Sequence, residues 1–182
     1  DDGNLNRSFP GDGELGPTSA IARFVVDAVL PLVDAGMDLH SAAYNDKYVD
    51  TTFLCTCADI ALYQKSVGLA DAFKAPYMYV VDGISKTTSK DFDSAAHAKG
   101  IPFMSAELGG GGIDPETIRI GYDGVRNVLA HMGVIAARES SSAREKTVYL
   151  DAGSRTGGVQ APYEGLFGAR FNVGDEVKVG QV

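Results

Sequence analysis

Residues 101–116 read Ile-Pro-Phe-Met-Ser-Ala-Glu-Leu-Gly-Gly-Gly-Gly-Ile-Asp-Pro-Glu, and their order decides the fold class. Ile101 to Ala106 is a short, mostly apolar run that predicts a buried strand ending at Glu107. The glycines Gly109 to Gly112 interrupt it. Asp114-Pro115-Glu116 then supplies a side-chain cap, a proline at the first helical position and an acid in the first turn. A helix is therefore expected to about His131, with Gly133 just past its end.

The same alternation extends upstream. Ala58 to Phe73 predicts a helix stopped by Pro76, Tyr77 to Val81 a short buried strand, and Ser94 to Lys99 the end of a third helix capped by Gly100. Met37-Asp38-Leu39-His40 reads as a short extended segment with polar residues at its far end. Before it, Gly16-Pro17-Thr18 opens a helix with Ile21, Phe24, Val25, Ala28, Val29 and Leu32 at helical spacing. Pro31 should kink or end that helix, and Gly36 close it. Helices alternating with short strands predict an α/β fold, a mainly parallel sheet flanked by helices, over residues 1–138. Residues 139–146 read as a polar linker. Residues 147–182 read as a small all-β module, cut short at Val182, with strands at Val148–Leu150, Gly158–Ala161, Gly165–Phe171 and Glu176–Val179.

A chain of 182 residues, 45% hydrophobic and 22% charged, has the composition of a globular domain with a small appendage. Its net charge of -8, with Lys and Arg interspersed among the acids, argues against nucleic acid or a membrane surface as partner. A small molecule fits better. No apolar run approaches the ~18 residues of a membrane-spanning helix. Cys55 and Cys57 are separated by one residue, where a disulfide would be strained, so both are expected as reduced thiols in a cytoplasmic protein.

His40 and Glu107 each stand at the carboxyl end of a predicted strand, where open α/β sheets bind their ligands. An imidazole there can hold a metal, and a carboxylate nearby can take a proton from a metal-activated water. Singly, each has an ordinary alternative: a hydrogen-bonded structural histidine, and a solvated surface acid. His97 and His131 fall inside predicted helices and read as surface or packing residues. No lysine follows the glycine run, against a phosphate loop, and no Gly-x-Ser-x-Gly elbow supports a serine triad. The turn-forming stretch Gly3 to Gly11, GNLNRSFPG, is by itself either a surface loop or a place for Arg7 to present its planar fork to a carboxylate.

Taken in order, Asn-Leu-Asn-Arg-Ser-Phe-Pro-Gly at 4–11, Asp-Leu-His-Ser at 38–41 and Ala-Glu-Leu-Gly-Gly-Gly-Gly at 106–112 resemble the succinylglutamate desuccinylase and aspartoacylase family, relatives of the zinc carboxypeptidases. The resemblance implies hydrolysis of an N-acyl amino acid by a zinc-activated water. It casts Asn6 and Arg7 as the grip on the substrate carboxylate, His40 as a zinc ligand, and Glu107 as the base that later protonates the departing amine. The family's His-x-x-Glu pair of ligands, and an arginine that polarises the scissile carbonyl, are absent from this chain and expected upstream of Asp1. One zinc per chain is implied. The glycine-rich form of the Glu107 motif is similar to that of bacterial N-acetyl-diaminobutyrate deacetylases.

Near the end, Gly165-Leu166-Phe167 and Val173 to Gln181 resemble half of a biotinyl- or lipoyl-type barrel. Lys178 falls in a predicted strand, not in a hairpin turn, so the module is expected to gate substrate or assist assembly and not to carry a swinging arm. Two alternatives stand beside the deacylase: a zinc carboxypeptidase acting on peptides, and a non-catalytic binding relative. A homo-oligomer is compatible with all three.

Overall fold

The structure, a computed structural model, describes residues 3–83, 90–112, 114–137, 146–151 and 160–181. Its first regular helix is α1, Pro17–Phe24, entered through Gly16 with proline at the first helical position. The coil then widens to a π turn over Val25–Val29 and tightens to a 3-10 turn over Leu30–Leu32. Pro31 lacks an amide proton and crowds the preceding turn, and a helix passes such a residue by changing its pitch. The buried stripe is Ser19, Ala22, Val26 and Leu30. The expected apolar face is therefore the wrong one: Phe24 is 63% and Leu32 83% exposed. Small side chains at 19 and 22 let this segment approach its neighbours closely, which the larger residues opposite would prevent.

Strands β1 (Gly36–His40), β2 (Thr51–Cys55), β3 (Tyr77–Val81), β4 (Phe103–Glu107) and β5 (Val148–Asp151) form one sheet in the order β1-β4-β2-β3-β5. The β1–β4, β2–β3 and β3–β5 pairs are parallel, and β2–β4 is antiparallel. The sheet is mainly parallel, as expected, with one antiparallel pair that makes it mixed. That pair arises at β2, whose Thr-Thr-Phe-Leu-Cys run inserts beside β4 in the opposite sense.

Helices α2 (Ile60–Phe73) and α4 (Pro115–His131) cover one face. Asp59 caps α2 by accepting from the Leu62 amide, and Asp114 caps α4 by accepting from the Glu116 amide. Leu69, Ala70, Phe73, Ile120 and Val128 pack there against Leu54, Met78, Met104 and Ala106. The opposite face meets α3 (Phe92–Ala98), the α1 segment and the opening loop, through Phe9, Ala22, Val26, Leu30, Ala95, Ala96 and Phe103. Because side chains alternate along a strand, Phe103, Ser105 and Glu107 all point to this second face.

Val148–Asp151, expected to begin the β module, is instead the edge of the main sheet, with the Val148 amide donating to the Pro76 carbonyl at 2.9 Å. Among the described residues after it, 160–181, no strand forms and every residue is exposed. The expected barrel-like module is therefore not seen there: strands need a partner face to bury their apolar side, and this stretch has none. The expected strand at 158–161 lies partly outside the described residues, as does the linker apart from Lys146. Among the described residues no helix is long and apolar enough to cross a membrane.

Candidate active site

The opening loop is anchored, not loose on the surface. Leu5–Arg7 forms a single 3-10 turn. Phe9 behind it is buried, its ring stacked on Phe92 at 4.7 Å, and its amide donates to the Lys90 carbonyl. Gly11 has φ +86°, and a Cβ there would lie 2.2 Å from the Arg23 amide nitrogen, so only glycine lets the loop touch α1 this closely. This fixes Asn6. Its Oδ1 accepts from the Phe92 amide at 2.7 Å, which turns Nδ2 toward His40 Nε2, 3.3 Å away.

His40 and Glu107 are the last residues of β1 and β4 and are paired in register. Asp38, two residues before His40, shares its face and places Oδ2 2.9 Å from His40 Nε2. A ring nitrogen carries one proton or one lone pair and cannot serve both partners equally. Asp38 is the closer partner: a proton on Nε2 would be donated to its carboxylate, with the Nδ1 lone pair left for another ligand, whereas a bare Nε2 would accept from Asn6. Burial pushes the Glu107 carboxyl above its ordinary range, and Asp38 adds to the shift, while His40 and Arg7 oppose it. That moves Glu107 toward the range useful to a general base. Arg7 is exposed at the rim, one Nη donating to the Asn6 carbonyl.

Asn6, Arg7, His40 and Glu107 therefore line one cavity of about 320 Å³, with Phe53, Cys55 and Val81 as its apolar wall. The lining runs from the strand ends at His40 and Glu107 onto the second face at Phe53 and Ser105. The glycines explain how its two loops stay aligned: the Gly109 carbonyl accepts from the Ala42 and Tyr48 amides, and the Gly111 amide donates to Ala43. The chain after Glu107 is thereby tied to the chain after His40.

Asp93 was not among the residues singled out from sequence. It sits in the first turn of α3 at 5% exposure, with Oδ2 accepting from Ser105 Oγ at 2.9 Å. Its carboxyl is pushed up to about 6, first by burial; the Ser105 hydrogen bond opposes this, and Asp91 and Asp38 reinforce it. One signal could have found it: Ser105 is a lone hydroxyl in the otherwise apolar run Met104-Ser105-Ala106, facing the same way as Glu107. The other histidines stay outside the cavity. His97 is half-buried against Ser66 Oγ at 3.2 Å, and His131 ends α4. Both cysteines are free thiols.

Among the described residues no group of three or more His, Cys, Asp or Glu side chains is placed to hold a metal. The Asp38–His40 pair is nonetheless the arrangement that orients a ligating imidazole, so the site fits one protein ligand to a zinc ion.

The family model for the succinylglutamate desuccinylase/aspartoacylase catalytic domain matches residues 1–132. The chain belongs to this family. It is 33% identical, over its whole length and 53% of the relative's, to an N-alpha-acetyl-L-2,4-diaminobutyric acid deacetylase of Halomonas elongata. Among solved structures it resembles a succinylglutamate desuccinylase/aspartoacylase from Rhodobacter sphaeroides, with 34% identity and a TM-score of 0.84 over 97% of this chain and 53% of that one. It also resembles a product-bound ectoine utilization protein EutE from Ruegeria pomeroyi, with 30% identity and a TM-score of 0.74 over 83% of this chain and 45% of that one. The chain thus spans about half the length of these family members.

Proposed function

We propose that this chain is part of a zinc-dependent hydrolase that cleaves the amide bond of an N-acyl amino acid. The observation that carries the reading is the convergence of Asn6, Arg7, His40 and Glu107 on one small cavity in a member of this family. At about 320 Å³ the cavity suits a small acylated amino acid better than a peptide. The Halomonas relative, by its name a deacetylase, supports acetyl as the acyl group.

In this reading Asn6 and Arg7 hold the substrate carboxylate, where the guanidinium can donate two parallel hydrogen bonds. That fixes the acyl amide against Glu107. His40 would hold the zinc as one ligand, and its other protein ligands would come from sequence outside these 182 residues. Zinc supplies a Lewis acid that activates water. Glu107 takes the proton of the attacking water and delivers it to the amine nitrogen as the C–N bond breaks, releasing a carboxylate and a free amino acid.

The test is amine release from N-acetyl amino acids by the full-length protein, with and without a chelator. Turnover lost to the chelator and restored by zinc is expected. Turnover indifferent to the chelator would remove zinc from the account, and no turnover on any N-acyl amino acid would remove the deacylase.

A further inference from the structure

The segment that leads into β1 has two apolar sides, and only one is covered. Ser19, Ala22, Val26 and Leu30 are buried, the last three among Ala95, Ala96 and Phe103. Ile21, Phe24, Ala28, Val29 and Leu32 form the other side, and all five are exposed through the α, π and 3-10 turns alike. A helix that is apolar on every side is normally buried, and a contiguous apolar surface left in water marks a place of contact. Three observations narrow what makes that contact. First, α1 is already the outer layer of a helix-sheet-helix stack, so whatever covers it adds a fourth layer, beyond what one domain needs around its core. A further strand from a longer chain would join the sheet at the unpaired edge of β1, beside the stack and not over α1.

Second, the charge beside the stripe is balanced in a chain that carries -8 overall: Asp27 pairs with Arg23 and lies 3.9 Å from Lys99. An anionic membrane would repel the chain as a whole, whereas two acidic copies can meet where the local charge cancels. Third, Ile21, Phe24, Val25, Ala28, Val29 and Leu32 follow one another at intervals of three, one, three, one and three, a spacing that reads the same in both directions. A two-fold axis sets a surface against itself run backwards, so this spacing is self-complementary. We propose that this face is the interface of a homodimer, in which the α1 segments of two copies pack antiparallel. Ile21 then meets Leu32 of the second copy, Phe24 meets its Val29, and the small Ala28 meets its half-buried Val25, which lets the two segments approach closely at the centre. None of these residues lines the catalytic cavity, and the inference stands apart from the deacylase reading.

The experiment is sedimentation of the full-length protein over a concentration series, for the wild type and for the double variant Phe24→Glu with Leu32→Glu. The wild type should sediment as a dimer, and the double variant should raise the dissociation constant of that dimer by at least roughly a hundredfold while keeping the wild-type thermal midpoint. A second measurement leaves the assembly intact: Ile21→Cys combined with Leu32→Cys should be joined into covalent dimers by a short bismaleimide, above the wild-type level, whereas either cysteine alone should not. A monomeric wild type would overturn the inference, whatever else it bound. A double glutamate variant that stays dimeric would overturn it too, because the contact would lie elsewhere. So would one that loses its fold, because the face would then be covered from within the same chain. Single-cysteine variants crosslinked as well as the pair would overturn the antiparallel packing.

Discussion

At the scale of single residues, the cavity combines groups that gain from folding with groups that lose by it. Arg7 is exposed and spends part of its fork on the Asn6 carbonyl, so it is available to a ligand without a folding role. Arg7→Ala should therefore raise KM for an N-acyl amino acid by at least roughly tenfold while leaving thermal stability nearly unchanged; an unaltered KM would remove Arg7 from the carboxylate grip. Asp93 is the opposite case. Burial pushes its carboxyl from an ordinary 3.8 up to about 6, so the folded state holds the proton more tightly. Stability is then lost as pH rises from about 4 through about 6. Asp93→Asn cannot ionise, and its stability relative to wild type should improve by roughly 2–3 kcal/mol between acid and neutral pH. Urea midpoints at about pH 4 and about pH 7.5, with chelator present, measure this; a difference independent of pH would contradict the burial argument.

At the scale of elements, the glycine run is a brace. Gly110 has φ +131°, and a Cβ there would come within 2.4 Å of Ala42 Cβ and 2.5 Å of the Asp46 carbonyl. Gly110→Ala should cost about 1–3 kcal/mol and lower activity, because the loop after His40 has to move. Gly112 has open space around its Cβ position, and Gly112→Ala should stay within about 0.5 kcal/mol. Equal losses at both positions would contradict the brace. The helices around this core were legible because their caps are local: Asp59 and Asp114 each bond an amide two or three residues on. β2 was not legible. Thr51–Cys55 follows a loop without helix-strand alternation, and its place between β4 and β3 is decided by pairing with residues that come later in the chain. The buried face of the α1 segment was misread for a related reason: both faces are apolar, and contact with Ala95, Ala96 and Phe103 selects the one carrying Ala22, Val26 and Leu30. The four residues singled out for chemistry lie in one cavity because two strand ends are in register and one loop is pinned by Phe9. Asp93 escaped notice because a first-turn acid next to the capping Asp91 looks like ordinary helix-start chemistry, and only the fold buries it.

At the scale of the molecule, a mixed sheet with helices on both faces carries the cavity on one of them, and the chain accounts for about half the length of its relatives. The described part of 160–181 adds exposed apolar residues such as Leu166 and Phe167, without a strand of its own. The central claim is that Glu107 moves the proton in amide hydrolysis. Glu107→Gln in the full-length protein keeps the shape and removes the base. Turnover of an N-acetyl amino acid should fall by at least roughly a hundredfold, with zinc content unchanged at about one per chain. Turnover retained at near wild-type rate, with the metal still in place, would contradict the account.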